Sequence, residues 1–164
     1  MKSLITLILF VNTIWCTAQK TLVQKNYTIK YPNTWTVEAN ATNTSFSIIS
    51  GNDGEGDTFT ENIDLRASDI KGYTPQTYAQ YAKTYLPSKI KNFKVVTEKT
   101  ITQNGTQGYY ITFKGKQGID LLKWKQYFFI EKGKVFILTF TGEEKKYDQY
   151  MKLLETTLQS FSIK

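Results

Sequence analysis

Two runs near the end of this 164-residue chain, Phe128-Phe129-Ile130 and Val135-Phe136-Ile137-Leu138, are apolar at every position, and a Lys132-Gly133 turn separates them. A strand with one face in water alternates apolar and polar residues, whereas one that is apolar on both sides needs cover on both. The tight turn makes the two runs antiparallel neighbours, and Tyr109-Tyr110-Ile111 repeats the pattern on a third strand. Only two segments have helical spacing and are free to supply that cover. The simplest solution is an α+β chain, a three-layer α/β/α sandwich. Its central, mainly antiparallel sheet would have about six or seven strands, with one main helix on each face.

The remaining elements follow from periodicity and turn chemistry. Tyr27, Ile29 and Tyr31 alternate as in a strand, Pro32-Asn33 forces a turn, and Trp35-Thr36-Val37 resumes the alternation. A polar loop follows over 39–44, then a strand from Phe46 to Ser50, then a glycine-rich turn from Gly51 to Asp57. Beyond it, Phe59, Glu61, Ile63, Leu65 and Ala67 are predicted on one strand face, with Thr60, Asn62, Asp64 and Arg66 on the other. Thr74 and Pro75 open the first helix as N-cap and first helical residue. Tyr78, Tyr81, Ala82, Tyr85 and Leu86 form its stripe, and Pro87 ends it. Phe93–Thr102 is a strand that turns back at Asn104-Gly105, the strongest hairpin signal in the chain. Thr141-Gly142-Glu143-Glu144 has capping-box spacing before a second stripe of Tyr147, Tyr150, Met151, Leu154, Leu158 and Phe161.

The start of the chain reads as a leader. One charge at Lys2, an apolar run from Leu4 to Val11, and small residues before Gln19 describe a signal peptide over 1–18, cut after Ala18. A lipoprotein signal would place Cys16 first after cleavage, and the bulky Trp15 just before it argues against that site. The expected product is exported, periplasmic or secreted, with 19–26 a loose lead-in and 27–164 a single domain. After the leader, no stretch approaches the roughly 20 apolar residues of a membrane span.

Absences narrow the chemistry. There is no histidine, and the one cysteine is Cys16, so serine–histidine triads, histidine zinc sites and thiol chemistry are excluded from the domain. No phosphate-binding glycine loop is present. The net charge of +7 carries one arginine, Arg66, and scattered lysines. That pattern argues against nucleic acid and for a solvated surface with, at most, weak attraction to anionic polymers or lipid head groups. No catalytic residue and no cofactor is predicted. Asp53, Glu55 and Asp57, interleaved with glycines, read as a solvated loop, with a weak calcium site as the alternative. Glu61, on an apolar face, needs a partner or a raised pKa. Tyr81, Trp124, Lys123 and Lys125 are the candidate interaction surface, although the tyrosines of the first helix and Trp35 and Trp124 also suit a core.

Several phrases resemble the PsbP/Mog1-like proteins, including their bacterial DcrB-like branch. Tyr31-Pro32-Asn33-Thr34-Trp35 is similar to that group's entry motif. The segment from Asp57 to Leu65 resembles its F-x-E-N-I-N-V strand, with Asp64 where asparagine is commoner. Asn104-Gly105 with Gly108-Tyr109, the Gln126–Phe129 and Val135–Thr141 strands, and Ser160-Phe161 resemble its later hairpins and helix end. The resemblance implies a binding or scaffolding domain without shared catalytic machinery. The expectation is therefore an exported, non-enzymatic accessory protein whose partner is an envelope protein. The alternative is a small apolar ligand or glycan held between helix and sheet, which requires a sizeable pocket lined by Trp124 or the tyrosines. A hydrolase built on Glu61 and the acidic loop would require convergent carboxylates in a cleft.

Overall fold

The structure, a computed structural model, describes residues 18–39 and 45–164. The leader through Thr17, with Cys16, and most of the polar loop after Ala39 lie outside the described residues. Among the described residues, ten strands and two α-helices follow in order: β1 (Gln19–Val23), β2 (Tyr27–Pro32), β3 (Thr36–Ala39), β4 (Phe46–Ile49), β5 (Asn62–Asp69), α1 (Pro75–Tyr85), β6 (Lys91–Gln103), β7 (Thr106–Gln117), β8 (Asp120–Glu131), β9 (Lys134–Glu143), α2 (Tyr147–Gln159) and β10 (Ser162–Ile163). Seven strands form the central sheet in the order β3-β4-β5-β9-β8-β7-β6, and every neighbouring pair is antiparallel.

The doubly apolar strands are covered as their sequences require. Phe128 points to the α1 side, among Ala79, Ile111, Phe113 and Trp124. Its neighbour Phe129 points to the α2 side, among Phe136, Leu138, Leu154, Leu158 and Phe161. Both phenylalanines are sealed from solvent, and burying side chains of that size contributes about 1.5–3 kcal/mol each. The chain is thus the α/β/α sandwich expected, with one helix on each face.

Capping differs between the helices. Thr74 Oγ1 accepts the Thr77 N–H at 3.1 Å, and Thr77 Oγ1 accepts the Thr74 N–H at 2.8 Å, a reciprocal box at the start of α1. Pro87 lies in a short 3₁₀ turn (Leu86–Ser88) just past the helix. The box expected at Thr141–Glu144 does not form. β9 runs on through Glu143, pairing Gly142 with Lys123 and Glu143 with Leu122, so α2 starts later, after Lys146 and without a side-chain cap. Strand pairing outcompetes local capping because the ladder satisfies these backbone groups first.

Two further expectations are corrected. The lead-in is ordered at 19–23, where β1 pairs with β2 along its whole length, and β10 pairs with the other side of β2 to make a small three-stranded sheet. The strand expected from Phe59 begins only at Asn62, and Phe59 turns to the α1 side while Ile63 and Leu65 face α2. The Asn104-Gly105 hairpin has a second use. Gln103 Nε2 donates to the carbonyls of Leu158 (2.9 Å) and Phe161 (3.0 Å), and Asn104 Nδ2 donates to Gln159 (3.1 Å) and Phe161 (2.9 Å). These amides add hydrogen bonds to carbonyls in the last turn of α2 and just past it, and so tie the hairpin to the end of that helix.

Candidate functional site

α1 packs on β7 and β8 and leaves the β5–β9 part of its sheet face beside it rather than beneath it. The step between helix and sheet is a crevice of about 600 Å³. Sheet register sets its floor in rungs. Asp64, Thr139 and Gln126 lie opposite one another on β5, β9 and β8, and Ser47 extends that rung onto β4. The rung is hydrogen-bonded within itself: Ser47 Oγ donates to Asp64 Oδ1, and Gln126 Nε2 donates to Thr139 Oγ1 at 2.9 Å. The next rung carries Asn62, Thr141, Trp124 and Phe113. Arg66, Ile137 and Phe128 form the third.

The wall opposite this mixed floor is aromatic. Tyr78, Tyr81 and Tyr85 project from α1 at helical spacing. Tyr73, Tyr78 and Tyr81 hold one another edge-to-face at 5.6–6.1 Å between ring centroids, a geometry favoured by ring quadrupoles. Trp124 stacks on Phe113 at 5.2 Å. Tyr81 and Tyr85 remain about half exposed, at 52% and 51%. Burial pushes the Asp64 carboxyl above its ordinary range, against the opposing pull of Ser47 and Arg66. The lining therefore offers hydrogen bonds and ring faces, with Asp64 as its one carboxylate.

The candidate surface of four residues divides in two. Tyr81 and Trp124 both line the crevice. Lys123 and Lys125 flank Trp124 in β8 and so point to the opposite face, where Lys123 Nζ sits 4.2 Å from the Tyr147 ring centre and Lys125 Nζ 4.8 Å from that of Tyr110. Strand alternation dictates this division. Asn62, Asp64, Gln126 and Thr139 were missed as a group because their shared rungs depend on register between distant strands.

The acidic loop converges, but on a side chain. Lys146 Nζ lies 2.7 Å from Asp57 Oδ1, 3.0 Å from Asp53 Oδ2 and 3.4 Å from Glu143 Oε2. Tyr150 Oη donates to the Asp53 carboxylate at 2.7 Å. Glu55 is exposed and stays outside this cluster. The ammonium occupies the place a bound cation would take, and among the described residues no set of three or more acidic side chains is arranged to hold a metal ion. Glu61 is sealed on the α2 side. Its Oε1 accepts the Glu143 N–H at a long 3.5 Å, its Oε2 has no partner among the described residues, and burial raises its pKa.

No family model and no curated protein matches the sequence. Solved structures do match the fold. A cyanobacterial PsbP from Synechocystis superposes with a TM-score of 0.68 at 12% identity, over 94% of this chain and 98% of the other. LpqN of Mycobacterium tuberculosis, described as involved in cell envelope biogenesis, gives 0.66 at 12% identity over 89% and 90%. A Pseudomonas aeruginosa protein of unknown function gives 0.60 at 12% identity over 87% and 94%. The chain has the PsbP/Mog1-like fold.

Proposed function

We propose that this chain is an exported, non-enzymatic accessory protein of the cell envelope that works by binding another envelope protein at the rim of the α1 crevice. One observation carries the reading: Tyr81 and Tyr85 stand half exposed over a crevice whose floor mixes polar and aromatic side chains, and large aromatic rings at such an edge are the residues that anchor protein interfaces. The leader reading of 1–18 supports export. The description of LpqN supports a place in the envelope by analogy of fold alone. The test is amine-directed cross-linking of the tagged chain in its own cells at native expression, followed by mass spectrometry, with Tyr81→Ala alongside. Reproducible links to one envelope protein that weaken in the variant support the reading. Absence of any specific partner rejects it.

The size of the crevice favours a second reading, a small ligand with one apolar and one hydroxylated face, such as a glycan. A volume near 600 Å³ lies within the range of small-molecule sites. Trp124 and Tyr78 would meet ring faces, while Asn62, Asp64 and Gln126 would meet hydroxyls. Titration with oligosaccharides, followed by Trp fluorescence and melting temperature, separates the readings, because a glycan site responds without any protein partner.

A further inference from the structure

The α2-side face of β6, β7 and β8 carries like charges directly opposite one another. Lys94, Lys114 and Lys123 form one rung across the three strands, and Lys91, Lys116 and Leu121 form the next. Like charges at cross-strand positions destabilise a sheet, so a sequence selected for stability alone has reason to avoid this arrangement. Glu144 pairs with Lys114 at 2.5 Å and Asp148 with Lys123 at 3.2 Å. Among the described residues, Lys91, Lys94 and Lys116 have no ion pair.

This basic face ends in an apolar point. β7 and β8 are joined by Gly118-Ile119, with Gly118 at φ 62° in the first central position of a two-residue turn. Ile119 at the tip is 86% exposed, and Leu121, on the same rung as Lys116 and Lys91, is 59% exposed. The carboxylate in this turn is Asp120, and it is only partly exposed.

We propose that the β7–β8 hairpin tip is a membrane-docking point, with Ile119 and Leu121 entering the head-group region of an anionic bilayer and Lys91, Lys94 and Lys116 lying at the level of the phosphates. Charge complementarity selects an anionic partner, and the isoleucine selects the bilayer. A nucleic acid or a soluble polyanion gains nothing from an apolar side chain at a turn tip, whereas a lipid interface buries it while long lysine stems keep their ammonium groups in water. The tip adjoins the crevice, since Gln117 and Leu122 belong to its lining. Docking therefore brings one end of the crevice to the lipid surface.

The test is co-sedimentation of the full chain with phosphatidylglycerol–phosphatidylcholine vesicles and with pure phosphatidylcholine vesicles. Ile119→Asp and a Lys91→Gln/Lys94→Gln/Lys116→Gln variant are run in parallel, with circular dichroism melts as the folding control. All forms share one N-terminus, so differences between them exclude the leader as the binding element. Binding should require phosphatidylglycerol and weaken with salt as screening shortens. It should fall about fivefold per lysine neutralised and at least about tenfold in Ile119→Asp. Equal partition onto neutral vesicles, unchanged binding by Ile119→Asp, or retention on heparin without vesicle partition would each overturn the proposal, the last reassigning the face to soluble polyanions.

Discussion

Lys146 Nζ sits 2.7 Å from Asp57 Oδ1, and this contact ties the glycine-rich loop after β4 to the start of α2. The Asp53 backbone N–H, and then Lys146, hold the Asp57 carboxyl below its usual range, and the hydrogen bond to Asp57 raises the Lys146 pKa. Both shifts favour the charged forms, so the clip is intact between the two pKa values, through neutral pH. It loosens as pH falls through the Asp57 carboxyl or rises through the Lys146 ammonium.

Replacing Lys146 by methionine keeps the stem and deletes the charge. Asp53, Asp57 and Glu143 would then face one another without a cation, and the melting temperature should fall by about 3 °C in low salt. Millimolar calcium should restore part of the loss in Lys146→Met and leave the native chain unmoved, because only the variant offers oxygens without an ammonium among them. A calcium response of equal size in both proteins would place the ion elsewhere.

Glu61 predicts an opposite dependence on pH. Burial raises its pKa in the folded state, so the folded chain holds this proton more tightly than the unfolded chain. Its contribution to stability is full below the ordinary value of 4.5 and declines as pH rises through the folded pKa. Glu61→Gln keeps the shape without the ionisation. It should match or trail the native protein at pH 4 and exceed it at pH 8 in urea melts. A difference that does not change between those pH values would mean that packing, not charge, governs this position.

The amides of β6 should contribute to the stability of α2. Gln103→Ala removes the donor that serves the carbonyls of both Leu158 and Phe161. Asn104 still serves the Phe161 carbonyl and the Phe161 N–H that of Leu158, so the loss should be that of ordinary hydrogen bonds, about 0.5–1.5 kcal/mol. Gln103→Glu, which carries acceptors where a donor is needed, should be the worse of the two. Chemical denaturation followed by far-UV circular dichroism reads both.

The layers of this fold were legible because they depend on neighbours in sequence. Phe128 and Phe129 required cover on both faces whatever the rest of the chain did, and Thr74-Pro75 opened a helix by local chemistry alone. The failures share one cause, backbone pairing with a partner strand that the segment's own residues do not announce. Gln19–Val23 looked like a tail until β2 supplied a partner, and Thr141–Glu144 looked like a cap until β8 claimed its backbone. The crevice was half visible. Helical spacing displayed its tyrosine wall, whereas its floor exists only because β5, β9 and β8 bring Asp64, Thr139 and Gln126 into register. Alternation alone could have separated Lys123 and Lys125 from Trp124.

The two aromatics of the crevice should respond differently to truncation. Tyr81 is 52% exposed and leans on Tyr73 and Tyr78, so Tyr81→Ala should change stability by no more than about 0.5 kcal/mol. Trp124 is 5% exposed and stacked on Phe113, so Trp124→Ala should cost about 3–5 kcal/mol and roughly 10 °C in melting temperature. Trp124→Phe should recover much of that loss because it keeps a ring against Phe113. If the exposed rim makes the functional contact, Tyr81→Ala should reduce cross-linking to the partner while its melting curve overlays that of the native protein. Loss of partner only in Trp124→Ala, in step with unfolding, would assign the contact to another surface.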